Sequence, residues 1–363
     1  MNRTKSILVV ASLMLALALT FSCSSDDGNS EGNNGGDDGG DSGGGVSWTA
    51  VENSPFAGGY ISAIAYGNDK FVAAGRVGGN YRIAHSTDGI AWTVEDNNIA
   101  LGLNAIAYGN GKFVAVNWDN SIMAYSTDGI AWTVAANSTF DDATNTMVIA
   151  YGNDKFVVGC NCRDANDYAT VKMAYSTDGI TWTAIANSTF NNSNITINSN
   201  TRIDAIAYGN GKFVAGGQSK KSSTNGWLAD FGKMAYSSNG IAWTSVANSQ
   251  LDYDGPEAIV YGNDKFVATT GAGNAVYSSD GITWTHLDYQ SDVYGHIGSH
   301  IAYGNGKFVA AAYSKMAYSA DGITWTAVEN SAFGSSEITG IAYGNGKFVA
   351  VGGDGKIAHW DGK

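Results

Sequence analysis

Few residues of this 363-residue chain have the type and spacing to do chemistry, and they do not gather into a catalytic set. His300 interrupts a column of small side chains, Ala63, Ala105, Val148, Ala205, Ala258 and Gly340, that recurs at one repeated position. An imidazole there could bind a ligand or move a proton, but it has no paired carboxylate or second histidine, and a solvated histidine at a channel mouth is the structural alternative. Cys160 and Cys162 form a Cys-x-Cys pair that could close a small disulfide in an exported protein; no neighbouring histidine completes a metal signature, so neither metal nor cofactor is expected. The remaining candidates are aromatic and cationic. The stretches Cys160 to Thr170, Ala186 to Arg202 and Gln218 to Phe231 carry Trp227, Phe231, Lys220, Lys221, Arg163 and Arg202. Other variable stretches add Arg76, Trp118, Asp119, Tyr253, Tyr289, Tyr294 and His296. Exposed aromatics beside amides and charges suit stacking on sugar rings or anchoring a protein partner; the alternative is that they cover loop backbone.

The elements that position these residues follow from repetition. A YGN(G/D)KFV unit occurs seven times, with tyrosines 66, 108, 151, 208, 261, 303 and 343, giving a period of 40 to 57 residues. Several short strands per unit at that period predict an all-β, seven-bladed β-propeller of four-stranded antiparallel blades, with almost no helix. In the fourth unit strand a is expected over Ile203 to Tyr208, strand b over Lys212 to Gly217, strand c over Lys233 to Ser237 and strand d over Ile241 to Val246. Gly209-Asn210-Gly211 supplies the a to b turn, where Asn and Gly tolerate positive φ. The repeated phenylalanines of KFV and the strand d tryptophans are expected in the core. Trp48 precedes the first YGN, while the last YGN has no strand d tryptophan after it. Val46 to Glu52 should therefore supply the outer strand of blade seven and close the ring.

In such a blade the a to b and c to d turns share one face, and the b to c and d to a loops share the other. The first pair is short and nearly invariant; the second varies in length and chemistry, so the second face is the candidate binding surface.

Residues 1–22 carry Arg3 and Lys5, then an apolar run from Ile7 to Phe21, short for a membrane helix and suited to a signal peptide. Residues 23–45 are Gly- and Asp-rich and lack the apolar residues needed to order them, so they read as a disordered tether before a domain spanning 46–363. Without Arg3 and Lys5 the chain holds 18 basic against 33 acidic residues, a formal charge of −15 that opposes binding to nucleic acid.

Two resemblances sharpen these expectations. Thr20-Phe21-Ser22-Cys23 resembles a relaxed bacterial lipobox, which implies lipidation of Cys23; Ser24, Ser25, Asp26 and Asp27 resemble the export signal of Bacteroidetes lipoproteins, which implies the outer membrane and its exposed face. The hairpins Ser86 to Trp92, Ser126 to Trp132, Ser176 to Trp182, Ser278 to Trp284 and Ser319 to Trp325 resemble the Asp-box of bacterial neuraminidase repeats, one residue shorter, with Asn239 replacing Asp in the fourth unit. That likeness implies a propeller across residues 46–363 and raises a sialidase-like glycosidase as one function. Arg82 in YRIA resembles a sialidase YRIP element, but lacks the proline and directly precedes an Asp-box. Four arginines for a required triad, and inner strands nearly alike apart from His300, argue against it. A non-catalytic, monomeric surface module for a glycan or protein fits the tether and the diversified face. A scaffold subunit of an outer-membrane complex, resembling seven-bladed assembly-factor propellers, is the alternative.

Overall fold

The computed structural model describes residues 46–94, 102–117, 122–135, 140, 144–163, 169–186, 188–190, 202–222, 228–251, 254–288, 290–293 and 295–363. Cys23, the proposed leader and the tether lie outside them.

Seven four-stranded antiparallel sheets make a seven-bladed β-propeller. The innermost strands of blades one to seven are Tyr60–Gly67, Leu103–Gly109, Thr144–Gly152, Ala205–Gly209, Ala258–Gly262, His300–Gly304 and Ile338–Gly344. Each packs beside the next, and Ile338–Gly344 packs beside Tyr60–Gly67, closing the ring. A single 3-10 turn at Ser291–Val293 is the helical content among the described residues. Blade seven is split as the tryptophan count predicts: Thr49–Ala50 pairs antiparallel with Ile357–Trp360 through Thr49↔His359 and Ala50↔Ala358.

The core lies between blades. All seven KFV phenylalanines have no solvent exposure. Trp48, Trp132, Trp182, Trp243, Trp284 and Trp325 are buried, whereas Trp92 is half-buried. Phe56, Ile61 and Phe71 of blade one pack with Val349 and Val351 of blade seven, so apolar burial holds the chain ends together as well as the sheets.

The YGN turn does more than reverse the chain. Asn210 (φ 44°) and Gly211 (φ 70°) take the left-handed conformation that the a to b hairpin requires, but Gly209 does not. Gly209 is needed for close approach: a Cβ there would sit 2.0 Å from Cγ of Tyr261 in the next blade, and the same arrangement recurs at all seven seams. The YGN asparagine also reaches forward. Asn68 Nδ2 donates to Thr127 O of blade two, Asn210 Nδ2 to Ser279 O of blade five, and Asn345 Nδ2 to Thr87 O of blade one, at 3.0 to 3.5 Å.

In the c to d turn of blade one, Asp88 Oδ1 accepts hydrogen bonds from Ile90 N and Ala91 N, both at 2.8 Å, and from Ser86 Oγ at 2.9 Å. Partial burial works against the charge, but these donors outweigh it and hold the carboxyl below its ordinary value. Asp128, Asp178, Asp280 and Asp321 are lowered the same way.

Two expected loops are largely strand. Blade four's second and third strands run Lys212–Ser222 and Leu228–Ser237, pairing Ser219↔Phe231 and Lys220↔Asp230. Blade three's run Lys155–Arg163 and Ala169–Ser176, ending in Arg163↔Ala169. Cross-strand pairing continues past the repeat motif because no proline interrupts the ladder in either pair of strands.

Candidate functional site

Every innermost strand begins on the d to a side and runs toward its YGN turn, so its first residues ring the axial channel on the face with variable loops. The column of small residues does line this channel, of about 330 Å³, with the isoleucines that follow it. Immediately before that column stands a polar one: Ser62, Asn104, Asp204, Glu257, Ser299 and Thr339, with Met147 at the counterpart position in blade three. In blades one, two and seven these residues sit at shifts of register, between Ile61 and Ala63, Leu103 and Ala105, and Ile338 and Gly340. A bulge turns one extra side chain out of the ladder, here toward the channel mouth.

The chemistry of that column divides. Ser62 Oγ donates to Leu103 O and Thr339 Oγ1 to Ile61 O, each at 2.5 Å, so these hydroxyls stitch adjacent blades. The acidic members form a network across blades four to six. Arg202 Nε lies 2.7 Å from Asp204 Oδ2 and its Nη2 3.7 Å from Glu257 Oε1; Ser299 Oγ donates to Glu257 Oε2 at 2.5 Å. Burial raises the Asp204 carboxyl to about 6 even with the guanidinium against it, and the Glu257 charge adds to the rise.

His300 follows Ser299 in the channel wall. It is half-buried in that wall, and burial pushes its imidazole down to about 4. It lines a cavity of about 300 Å³ together with Asp254, Glu257, Ser299, Tyr313 and Glu337. Across the mouth, Tyr60, Arg76, Tyr81, Leu103 and Asn104 line a more apolar slot of about 220 Å³ between blades one and two.

Of the residues singled out from sequence, His300 lines the mouth beside Glu257, Arg202 reaches the same Glu257 from the segment before blade four's inner strand, and Arg76 lines the slot between blades one and two. His296 is on the loop into blade six, its amide bonded to Val293 O, and is not part of the channel lining. Arg163, Phe231, Lys220 and Lys221 lie on the extended strands described above. Trp118, Asp119, Trp227, Tyr253, Tyr289 and Tyr294 lie outside the described residues. Cys160 is disulfide-bonded and fully buried. Arg82 donates to Pro55 O at the edge of blade one.

Sequence reasoning missed Asp204, Asp254, Glu257 and Glu337. For Asp204 and Glu257 the signal was present one residue upstream of the small column, where the inner strands are not alike: serine, asparagine, methionine, aspartate, glutamate, serine and threonine occupy one position in seven otherwise similar units. Among the described residues no group of three or more His, Cys, Asp or Glu could hold a metal ion.

The chain matches no protein-family model and no curated protein sequence. Among solved structures it is similar to virginiamycin B lyase from Staphylococcus aureus, with TM-score 0.57 and 13% identity over 86% of this chain and 98% of that one. It is also similar to YCF48 bound to D1 peptide, with TM-score 0.56 and 14% identity over 86% and 94%. For the WD40 β-propeller domain of Doa1 the TM-score is 0.55 at 10% identity, over 88% and 98%. At these identities the likeness is one of fold: a lyase, a peptide-bound protein and a WD40 domain share this ring of blades, and only the mouth can say which kind of use is made of it.

Proposed function

We propose that the chain is a non-catalytic binding module that captures a protein or glycan through its b to c and d to a face, held at the cell envelope by a lipid on Cys23 and the tether over 23–45. One observation carries this reading: the inner-strand column in which the blades differ chemically opens on the same face as the loops that differ in length, while the opposite face is spent on identical seams. A rigid disc with one diversified face suits recognition.

The arrangement does not favour catalysis. Glu257 is engaged by Arg202 and Ser299, and Arg82 is taken up by a backbone carbonyl away from the channel, so the three arginines a sialidase needs are not assembled from the described residues. The Asp-box likeness draws support from one pattern of hydrogen bonds in the c to d hairpins of blades one to six, where it holds the turn. That the similar YCF48 fold was solved with a peptide bound supports a protein or peptide partner, with an envelope scaffold as the wider form of the same reading.

The test combines crosslinked capture from cells with a glycan array. Trp227→Ala should weaken capture with the melting temperature nearly unchanged, and Cys23→Ser should move the protein from membranes to the soluble fraction. Turnover of a glycoside by the pure protein, lost on replacing His300, would overturn the reading.

A further inference from the structure

We propose that the cavity at the mouth between blades five, six and seven binds a cationic amino or guanidinium group, an inference that rests on the reading of this mouth as a binding site. The cavity, about 300 Å³, takes three carboxylates, Asp254 and Glu257 from the segment entering blade five and Glu337 from the segment entering blade seven, with Ser299 standing between them before blade six. Among the described residues Asp254 and Glu337 form no ion pair, while Glu257 is already engaged by Arg202 at 3.7 Å and by the Ser299 hydroxyl at 2.5 Å. Acidic residues are common on a chain of this charge, so their number alone decides nothing. What distinguishes this place is what else lines it.

His300 offers a ring that forms no hydrogen bond within the described structure and stays partly open to the cavity, and the burial it does have holds its imidazole below the ordinary value. It therefore adds a dipole without adding a repelling charge. At the rim stands Tyr313, 76% exposed, the most exposed of the large hydrophobic side chains. Its φ of 52° is a conformation bulky residues adopt rarely, so the tight turn between Ala312 and Lys315 presents this ring at a backbone cost. An aromatic face beside carboxylates attracts cations.

The geometry also selects among cations. No three of these side chains approach closely enough to hold a metal ion. A divalent ion needs its oxygen ligands within about 2.0 to 2.6 Å, whereas a guanidinium spreads five N–H donors over a plane and an ammonium directs three from a flexible stem. Carboxylates dispersed around a cavity suit the organic cation. Its source is either the Arg or Lys side chain of a protein partner or a free small amine, and the same chemistry recognises both.

Isothermal titration of the full chain in detergent micelles, at low ionic strength, separates these cases. The probes are Ac-Gly-Arg-Gly-NH2, agmatine, the uncharged isostere Ac-Gly-citrulline-Gly-NH2, and calcium chloride. The arginine peptide should bind at least about tenfold more tightly than the citrulline peptide. Combining Asp254→Asn with Glu337→Gln should remove about that factor, and Tyr313→Ala should weaken binding, while circular dichroism shows an unchanged fold. A peptide preferred over agmatine assigns the cation to a partner's side chain; agmatine preferred assigns it to a free amine. Equal binding of arginine and citrulline peptides, or binding of calcium alone, overturns the proposal. If neither cation binds but crosslinked capture still depends on the loop face, the cation assignment falls and the binding module stands.

Discussion

Gly209→Ala tests whether the YGN glycine is a turn residue or a seam residue. The new Cβ would lie 2.0 Å from Tyr261 Cγ, 2.4 Å from its Cβ and 2.5 Å from its Cδ1. Carbon atoms pack at about 3.5 to 4.0 Å, so the ring would have to retreat by roughly 1.5 Å. Its centroid is already 4.8 Å from that of the fully buried Phe266, so the ring can retreat only toward its half-exposed side and at the cost of that contact. Overpacking of this kind costs about 1 to 3 kcal/mol, and the gain from a less flexible unfolded chain, about 0.4 to 1 kcal/mol, offsets only part of it. Gly211→Ala is the control: nothing lies within 4 Å, but φ is 70°, so the cost is about 1 to 2 kcal/mol of backbone strain alone. Urea unfolding followed by tryptophan fluorescence measures both. The deciding arm adds Tyr261→Ala, in whose background Gly209→Ala should cost almost nothing while Gly211→Ala keeps its full effect. Equal costs for Gly209→Ala with and without the Tyr261 ring would refute the seam role.

Closure of blade seven predicts that Trp48→Ala costs about 3 to 5 kcal/mol, since its indole is 4% exposed and packs 6.1 Å from Trp360, and that deleting residues 46–52 destabilises the domain far more than deleting 24–45. Thermal melts that coincide for the two deletions would contradict the split blade. The five aspartates of the c to d turns have folded values below the ordinary 3.8, so their contribution is present above that pH and lost as pH falls through the lowered values. Asp128→Asn should leave stability at pH 7 nearly unchanged, as Asn239 Oδ1 accepts the same two amide bonds at 2.9 Å, and should move the acid midpoint to lower pH; an unmoved midpoint in a circular-dichroism titration would count against the linkage.

How much of this was legible depended on repetition. Whatever every blade must do is written seven times, so the ring, the hairpins and the split closure could be read from Tyr66 to Trp360. Single-blade features carry no such redundancy. The extended strands through Ser222 and Arg163 passed as loops because their composition is polar and only pairing partners distinguish a solvated strand from a loop. The acidic mouth was missed for a geometric reason: Asp204 and Glu257 stand immediately before the strands that begin at Ala205 and Ala258, and alternation counted from those alanines puts both carboxylates on the other face. His300 drew notice because it broke a column of small residues, whereas Glu257 stood in a column that had no consensus to break.

The forward reach of the YGN asparagine and the tyrosine laid on the preceding glycine make each seam directional: every blade carries one half of a socket on its leading side and the matching half on its trailing side. Any copy therefore fits behind any other, and a duplicated or transplanted unit arrives with both halves of its joint already written. Selection can lengthen a loop or change a channel residue in one copy without renegotiating its neighbours, which is the condition under which seven near-identical units can acquire one face that is not repeated at all.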